Sequence, residues 1–197
     1  MAAAAIPLVL PPEPAARRTG TWGMGLLIAT EASLFGYLLF SYFYVGALAH
    51  GGWPPTGAPS LRLSLPNTFV LLLSSATAYW AESGIRRGRT TRLRLGLLVT
   101  LVLGSVFLAV QGIEFRNNPV RPGTNAYGSL FFTVTGFHAA HVAVGLLMLL
   151  VVLIRALLGH FRTGRHEAVT NVTWYWHFVD VVWLAVFTSL YLVPRFG

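Results

Sequence analysis

Residues 170–193 read TNVTWYWHFVDVVWLAVFTSLYLV. The stretch is long enough to cross the hydrocarbon core of a bilayer, which takes about 20 mainly apolar residues in a helix. Within it lie a histidine and an aspartate, His177 and Asp180, whose charged forms are costly to place in lipid. The stretch therefore predicts a transmembrane helix that carries polar groups for a structural or functional reason.

Four other segments meet the same requirement, namely residues 21–48, 66–84, 93–114 and 127–155. The whole composition agrees, because 55% of the 197 residues are hydrophobic, 10% are charged, and the mean hydropathy is +0.64. An average soluble domain contains about 25% charged residues. The sequence therefore predicts an all-α, polytopic membrane protein. Its five transmembrane helices form a single domain over residues 19–197, after a flexible, proline-rich tail at residues 1–18.

The basic residues predict how the chain is oriented in the membrane. All fourteen are arginines, and they are scattered between the apolar segments, which is typical of loops at a membrane surface rather than of a nucleic-acid-binding face. Ten fall in the N-terminal tail and in the second and fourth connections, and four fall in the other connections and the C-terminus. The positive-inside rule then places the N-terminus inside and the C-terminus outside.

Cysteine is absent, which excludes disulfides, thiolate zinc sites and iron–sulfur clusters. A metal would need histidine and carboxylate ligands. The sequence contains no phosphate-binding loop, no serine–histidine–aspartate order and no metalloprotease motif. We therefore predict neither a catalytic centre nor a metal site in this chain.

Five polar residues are expected to form a cluster inside the helix bundle. Glu31 and Asp180 each lie about ten residues, or roughly 15 Å, from the inner ends of their helices, and His141 lies at roughly 21 Å. His138 and His141 are three residues apart, as are His177 and Asp180, so each pair shares a helix face. Ionisable groups inside a membrane normally face the bundle interior and have partners there.

The residues alone leave three interpretations of this cluster open. The favoured one is a hydrogen-bonded set that joins helices and satisfies its own polar groups. The second is a proton-conducting or proton-buffering role, because histidine titrates near neutrality and a carboxylic acid in lipid avoids ionisation. The third is metal or haem ligation, which is disfavoured because the closest histidine pair lies on one helix.

Residues outside this cluster are candidates for contacts with other groups. Those near helix ends could lie at the membrane interface or contact a partner protein, and they are Glu82, Glu114, Arg116 and Trp53. Small residues are spaced for close helix packing at Gly96, Thr100 and Gly104 of the third segment and at Gly136 and Ala140 of the fourth.

The sequence WYWHFVDVVW at residues 174–183 resembles the signature of the cytochrome c oxidase subunit III family, which belongs to the haem–copper terminal oxidases. Four more segments resemble family motifs in the same order. They are TEASLFGYLLFSYFY at 30–44, GGWPPTG at 51–57, NTFVLLLSSATAYWA at 67–81 and YGSLFFTVTGFHAAHVAVG at 127–145. The resemblance covers about residues 20–195, and it is to the five-helix form of the family.

This resemblance implies a subunit without haem or copper of its own, docked mainly on the catalytic subunit I in a complex that also contains subunit II. Haem and copper would belong to subunits I and II. The chain would stabilise subunit I, support proton uptake, protect the active site during turnover and bind phospholipid. Glu31 matches the family's carbodiimide-reactive carboxylate, and His138, His141, His177 and Asp180 match its signature positions.

Other functions remain as alternatives. Subunit III of a quinol oxidase and the homologous accessory protein of nitric oxide reductase would share these helices. A membrane haem-binding protein would use His138 or His141 together with His177. A transporter or proton channel is disfavoured because the sequence shows no inverted repeat. The absence of lysine beside many Arg, Ala and Gly residues favours a GC-rich genome and hence a bacterial plasma membrane.

Overall fold

The computed structural model describes residues 15–50, 52–55, 57–161 and 166–196. This part of the chain forms five long α-helices: α1 (Ala15–Ala47), α2 (Leu61–Arg86), α3 (Thr90–Asn117), α4 (Ala126–Leu157) and α5 (Glu167–Phe187). α5 continues into a π-helical turn at Thr188–Leu192 and a 3-10 turn at Val193–Arg195. No strand occurs among the described residues, so the all-α prediction is confirmed there.

Each predicted segment corresponds to one helix, and most helices extend beyond the predicted limits. α2 begins after Ser60 and α4 after Asn125, whose side-chain oxygens accept hydrogen bonds from the backbone N–H groups of the first turn. Such capping fixes helix ends at polar residues, which a search for apolar runs leaves out. α1 begins at Ala15, so residues 15–18 of the predicted tail are helical. The rest of that prediction, residues 1–14, lies outside the described residues.

Four stretches of the described helices are long and apolar enough to cross a membrane: Thr19–Ala47, Thr90–Asn117, Ala126–Leu157 and Glu167–Arg195. They make the chain an integral membrane protein. α2 is not among them, because its sequence mixes apolar residues with polar ones, of which Ser64, Asn67, Ser74 and Glu82 are buried. A fifth crossing, by α2, stays a prediction, as does the orientation of the termini.

α2 and α3 form a close helix pair, and two of the small residues predicted to allow close packing, Gly96 and Thr100, lie at their contact. A methyl group added at Gly96 of α3 would lie 2.6 Å from the Cβ of Ala81 on α2, so only glycine allows this approach. The Thr100 hydroxyl lies 2.8 Å from both the Thr77 hydroxyl and the Gly96 carbonyl oxygen. Polar and steric contacts thus hold α3 against α2 in the same place.

Trp176 of α5 is fully buried and occupies a slot between α3 and α4. A Cβ added at Gly104 would lie 2.6 Å from its Cη2 atom, and one added at Gly145 would lie 2.8 Å from its Cε3 atom. The indole N–H donates to Ser74 Oγ of α2 at 3.0 Å. These contacts place α5 at the centre of the bundle. Gly136, by contrast, has no atom within 4 Å of such a Cβ, so its predicted packing role is not seen among the described residues.

Candidate functional site

Glu31 of α1 and His141 of α4 form a direct contact between helices. Glu31 Oε2 lies 2.9 Å from His141 Nε2, and His141 Nδ1 lies 2.7 Å from the carbonyl oxygen of Phe137. Because a carbonyl oxygen can only accept, Nδ1 carries a hydrogen. The bond between Glu31 and Nε2 then contains one proton, which belongs to the carboxyl group in a neutral pair and to the imidazolium in an ion pair. This geometry can hold a proton at the junction of α1 and α4.

The pair is partly enclosed by neighbouring side chains. The Phe35 ring lies 5.0 Å from the His141 ring, centroid to centroid, and the Tyr175 hydroxyl donates to the His141 carbonyl oxygen at 3.4 Å. The side chains of Glu31 and His141 remain 26% and 16% exposed, respectively. Part of the pair therefore faces the outside of the bundle, where lipid or another protein can reach it.

His138, one turn before His141, is fully buried. Aromatic rings enclose it, with centroids at 4.9 Å for Trp183, 5.9 Å for Phe107 and 6.4 Å for Phe35. Neither ring nitrogen has a hydrogen-bond partner within the described chain. This enclosure does not fit a haem ligand, because iron could reach a nitrogen of His138 only after the surrounding rings had moved.

His177 and Asp180 of α5 face Ser75 of α2. His177 Nδ1 lies 2.5 Å from Ser75 Oγ and 4.0 Å from Asp180 Oδ2. Asp180 is buried, and neither of its carboxyl oxygens has a well-formed hydrogen bond within the described chain. In a hydrolytic triad, serine and carboxylate bind opposite ring nitrogens, whereas here both approach Nδ1. The arrangement therefore links α5 to α2 and is not a nucleophilic centre.

The five predicted cluster residues thus fall into two pairs and one enclosed histidine. No hydrogen bond or ion pair between the two pairs occurs in the described part of the chain. Ser75 was not singled out from the sequence, because serine is common in packed membrane helices. The signal that could have identified it is its position in the motif at residues 67–81, opposite the His177 motif.

Three of the four candidates near helix ends contact other side chains of the bundle. Glu82 is 5% exposed, inside the bundle rather than on its surface, and its Oε1 accepts a hydrogen bond from Arg86 at 2.7 Å. Glu114 Oε1 accepts a hydrogen bond from the Tyr191 hydroxyl at 2.8 Å. Both carboxylates therefore have partners within the chain.

The other two candidates differ in exposure. Arg116 is exposed at the end of α3. Trp53 packs edge-on against the rings of Tyr42 and Tyr127, at centroid distances of 5.4 and 5.3 Å, and ties the α1–α2 connection to α1 and α4. Among the described residues, no group of three or more histidines and carboxylates could hold a metal ion.

Comparison with known proteins gives these contacts a context. The family model for cytochrome c oxidase subunit III matches residues 13–194. The chain is 39% identical over 178 residues to cytochrome c oxidase subunit 3 of Myxine glutinosa, a match that covers 86% of this chain and 68% of that protein. It is 40% identical over 179 residues, with the same coverage, to the proteins of that name from Latimeria chalumnae and Danio rerio. The family match includes Glu31, His138, His141, His177 and Asp180, and the chain belongs to the cytochrome c oxidase subunit III family.

Proposed function

We propose that the chain is the non-catalytic subunit III of a proton-pumping haem–copper terminal oxidase of aerobic respiration, in a bacterial plasma membrane. Family membership makes it a subunit of the cytochrome c oxidase complex, with other oxidase subunits as partners. The observation that carries the proposed role in proton pumping is the Glu31–His141 pair, because it holds a proton between two helices of the bundle. The proposal assigns no redox centre to this chain. The absence of lysine supports the bacterial origin.

The proposed role has a structural and a protonic part. Structurally, the pair fastens α1 to α4, and α1 needs such a contact because it is little buried and exposes Trp22, Leu26 and Tyr37. Bound phospholipid and neighbouring subunits cover that face in the complex. For proton transfer, the pair buffers protons near subunit I. The haem and copper of the complex belong to subunits I and II. The chain thereby stabilises subunit I and supports its proton uptake.

The proposal also places α2 across the membrane as the fifth crossing. The polar side chains Ser64, Asn67 and Ser74 of α2 are buried against its neighbours, whereas its outer surface exposes Phe69 and Leu73. A helix with apolar residues outside and polar residues inside is suited to lipid even though its average hydropathy is modest. Five crossings with the N-terminus inside then place the C-terminus outside.

Labelling of single cysteines tests this topology, since the natural sequence has no cysteine to interfere. Thr90 is the first residue of α3, at the end of the α2–α3 connection, and Thr124 lies between α3 and α4. Both residues are exposed. An impermeant maleimide added to intact cells should label the Thr124→Cys protein and should label the Thr90→Cys protein only after the membrane is opened. Labelling of the Thr90→Cys protein alone in intact cells would show the opposite topology. Labelling of both proteins would show that α3 does not cross the membrane.

Deletion of the chain tests the function. Oxidase from cells without it should still reduce oxygen with electrons from cytochrome c, but it should eject fewer protons per electron and lose activity within fewer turnovers. Restoring the chain should restore both properties. A complex whose proton ejection and lifetime are unchanged by the deletion would refute the proposed role. If the complex oxidises quinol instead of cytochrome c, or reduces nitric oxide instead of oxygen, the oxidase type proposed here is wrong. Membership of the family would not be affected.

A further inference from the structure

One stripe of α5 stays exposed although the helix packs against α1, α2 and α4. The exposed or partly exposed residues of this stripe are Trp174, His177, Val181 and Leu184. Steps of three, four and three residues keep these positions on one side of the helix. The same spacing marks the seam along which one long helix packs against another. The stripe is therefore suited to the contact of a single additional helix.

α2 continues the stripe on one side. Ser75 of α2 contacts α5 directly, because its Oγ lies 2.5 Å from His177 Nδ1. Leu72 and Tyr79, three residues before Ser75 and four after it, are both exposed and share its side of α2. We call these three residues of α2 and the four of α5 the α2–α5 face. Apolar and aromatic side chains thus surround the contact between Ser75 and His177.

His177 gives the α2–α5 face a polar centre that lipid does not satisfy. Its side chain is 36% exposed, and its Nε2 makes no hydrogen bond within the described chain and is open to the exterior of the bundle. The residue lies about 15 Å along α5 from Glu167, where the helix begins. Acyl chains neither donate nor accept hydrogen bonds, and an unpaired polar group in hydrocarbon is costly. Nε2 therefore needs a partner from outside the chain.

A second copy of the chain is a poor partner for this nitrogen. Two copies related by a twofold axis along the membrane normal would bring identical residues together at one depth. Each His177 Nε2 would then face the other. The same Ser75 contact sets the same tautomer in both copies, so both nitrogens would be donors or both would be acceptors. A helix of a different protein can instead place a complementary group opposite Nε2.

We propose that the α2–α5 face docks one transmembrane helix of another subunit of the oxidase complex, and that a polar side chain of that helix hydrogen-bonds with His177 Nε2. Apolar side chains of the docked helix pack on Trp174, Val181 and Leu184. This docking rests on family membership, which supplies the partner subunits. It does not rest on proton buffering by Glu31 and His141, which meet at the separate junction of α1 and α4.

Photocrosslinking in native membranes identifies what covers the face. Val181, which is 64% exposed at the middle of the stripe, is replaced by benzoylphenylalanine, and the assembled complex is irradiated. The expected product joins the chain to a transmembrane segment of another subunit, with a hydrogen-bonding side chain within about two helical turns of the crosslinked residue. A product formed only with lipid, or only with a second copy of this chain, would overturn the docking.

Release of the chain from the purified complex in detergent measures how tightly the helix docks. Val181→Trp fills the space that the docked helix needs, and Leu147→Trp, at a residue of α4 that is 63% exposed, is the matched control. The Val181→Trp chain should be released about tenfold faster than the Leu147→Trp chain, because overpacking weakens the contact. Equal release rates for these two chains would show that no helix docks on the face.

The hydrogen bond of His177 is tested in the same measurement. His177→Phe keeps a planar ring but removes Nε2, and it should release the chain about threefold faster than the natural protein, equivalent to about 0.6 kcal/mol. Ser75→Ala is the control, because it removes only the internal contact to Nδ1 and leaves Nε2 on the face. If the His177→Phe chain is released no faster than the Ser75→Ala chain, Nε2 has no partner in the complex.

Discussion

Replacing Gly104 by alanine should destabilise the bundle, because Trp176 of α5 occupies the space that the new methyl group needs. The added Cβ would lie 2.6 Å from Trp176 Cη2, which is 0.8 Å short of the 3.4 Å where ordinary contact begins. The ring cannot retreat, since Gly145 lies against its other edge and its N–H is bound to Ser74. Overpacking of this kind costs about 1–3 kcal/mol.

Alanine also favours a helix over glycine by about 0.5–1 kcal/mol, so the net change at Gly104 alone would understate the steric cost. Gly112→Ala is the matched control. It lies on the same helix, and no atom lies within 4 Å of its added Cβ. The two variants share the helix-propensity gain, so Gly104→Ala should be less stable than Gly112→Ala by about 1–3 kcal/mol.

Unfolding in mixed micelles, followed by circular dichroism as the fraction of denaturing detergent rises, measures this difference. Replacing Trp176 by phenylalanine in the Gly104→Ala protein should recover part of the loss, because the smaller ring vacates the position of the clash. Equal stability of the Gly104→Ala and Gly112→Ala proteins would show that the Trp176 slot is not tightly packed. The account of α5 as the central helix would then fail.

The remaining predictions concern polar contacts. Glu31→Gln keeps a hydrogen-bonding group opposite His141 and should assemble normally. Glu31→Ala leaves Nε2 unpaired and should lower the free energy of unfolding by about 1–3 kcal/mol in the same measurement. Equal losses of stability in the two variants would argue against the contact. In the assembled complex, Glu31→Gln should lower proton ejection relative to oxygen turnover, and an unchanged ratio would leave the pair with a structural role only. Tyr191→Phe removes the hydrogen bond to Glu114 and should cost about 1 kcal/mol, whereas Tyr79→Phe, at an exposed tyrosine, should cost almost nothing. A Tyr191→Phe protein as stable as the Tyr79→Phe control would contradict that bond.

The helices could be predicted because a run of about 20 apolar residues has few alternatives to a membrane-crossing helix. The depth of Glu31 and His141 could also be predicted, since counting residues along each helix places both side chains well inside the membrane. A membrane crossing by α2 was harder to predict, because Asn67 and Ser74 lower the mean hydropathy of this helix although both are buried.

What could not be predicted is how each helix is rotated about its own axis. Depth along the helix does not say which neighbour a side chain faces, so residues at similar depth were expected in one cluster although α5 directs His177 toward Ser75. Burial of Glu82 was missed for a related reason. Its position near a helix end resembles that of an interfacial residue, whereas the packing of α2 encloses it.

Purification of the chain from its native membranes in mild detergent tests the central claim most directly. The measured quantities are the list of co-purifying subunits and the haem absorption spectrum, first of the complex and then of the chain separated from it. We predict that oxidase subunits I and II co-purify with the chain, that the complex has the haem spectrum, and that the separated chain has none. A chain that purifies without a haem–copper catalytic subunit, or that keeps a stoichiometric haem absorption band of its own, would contradict the account.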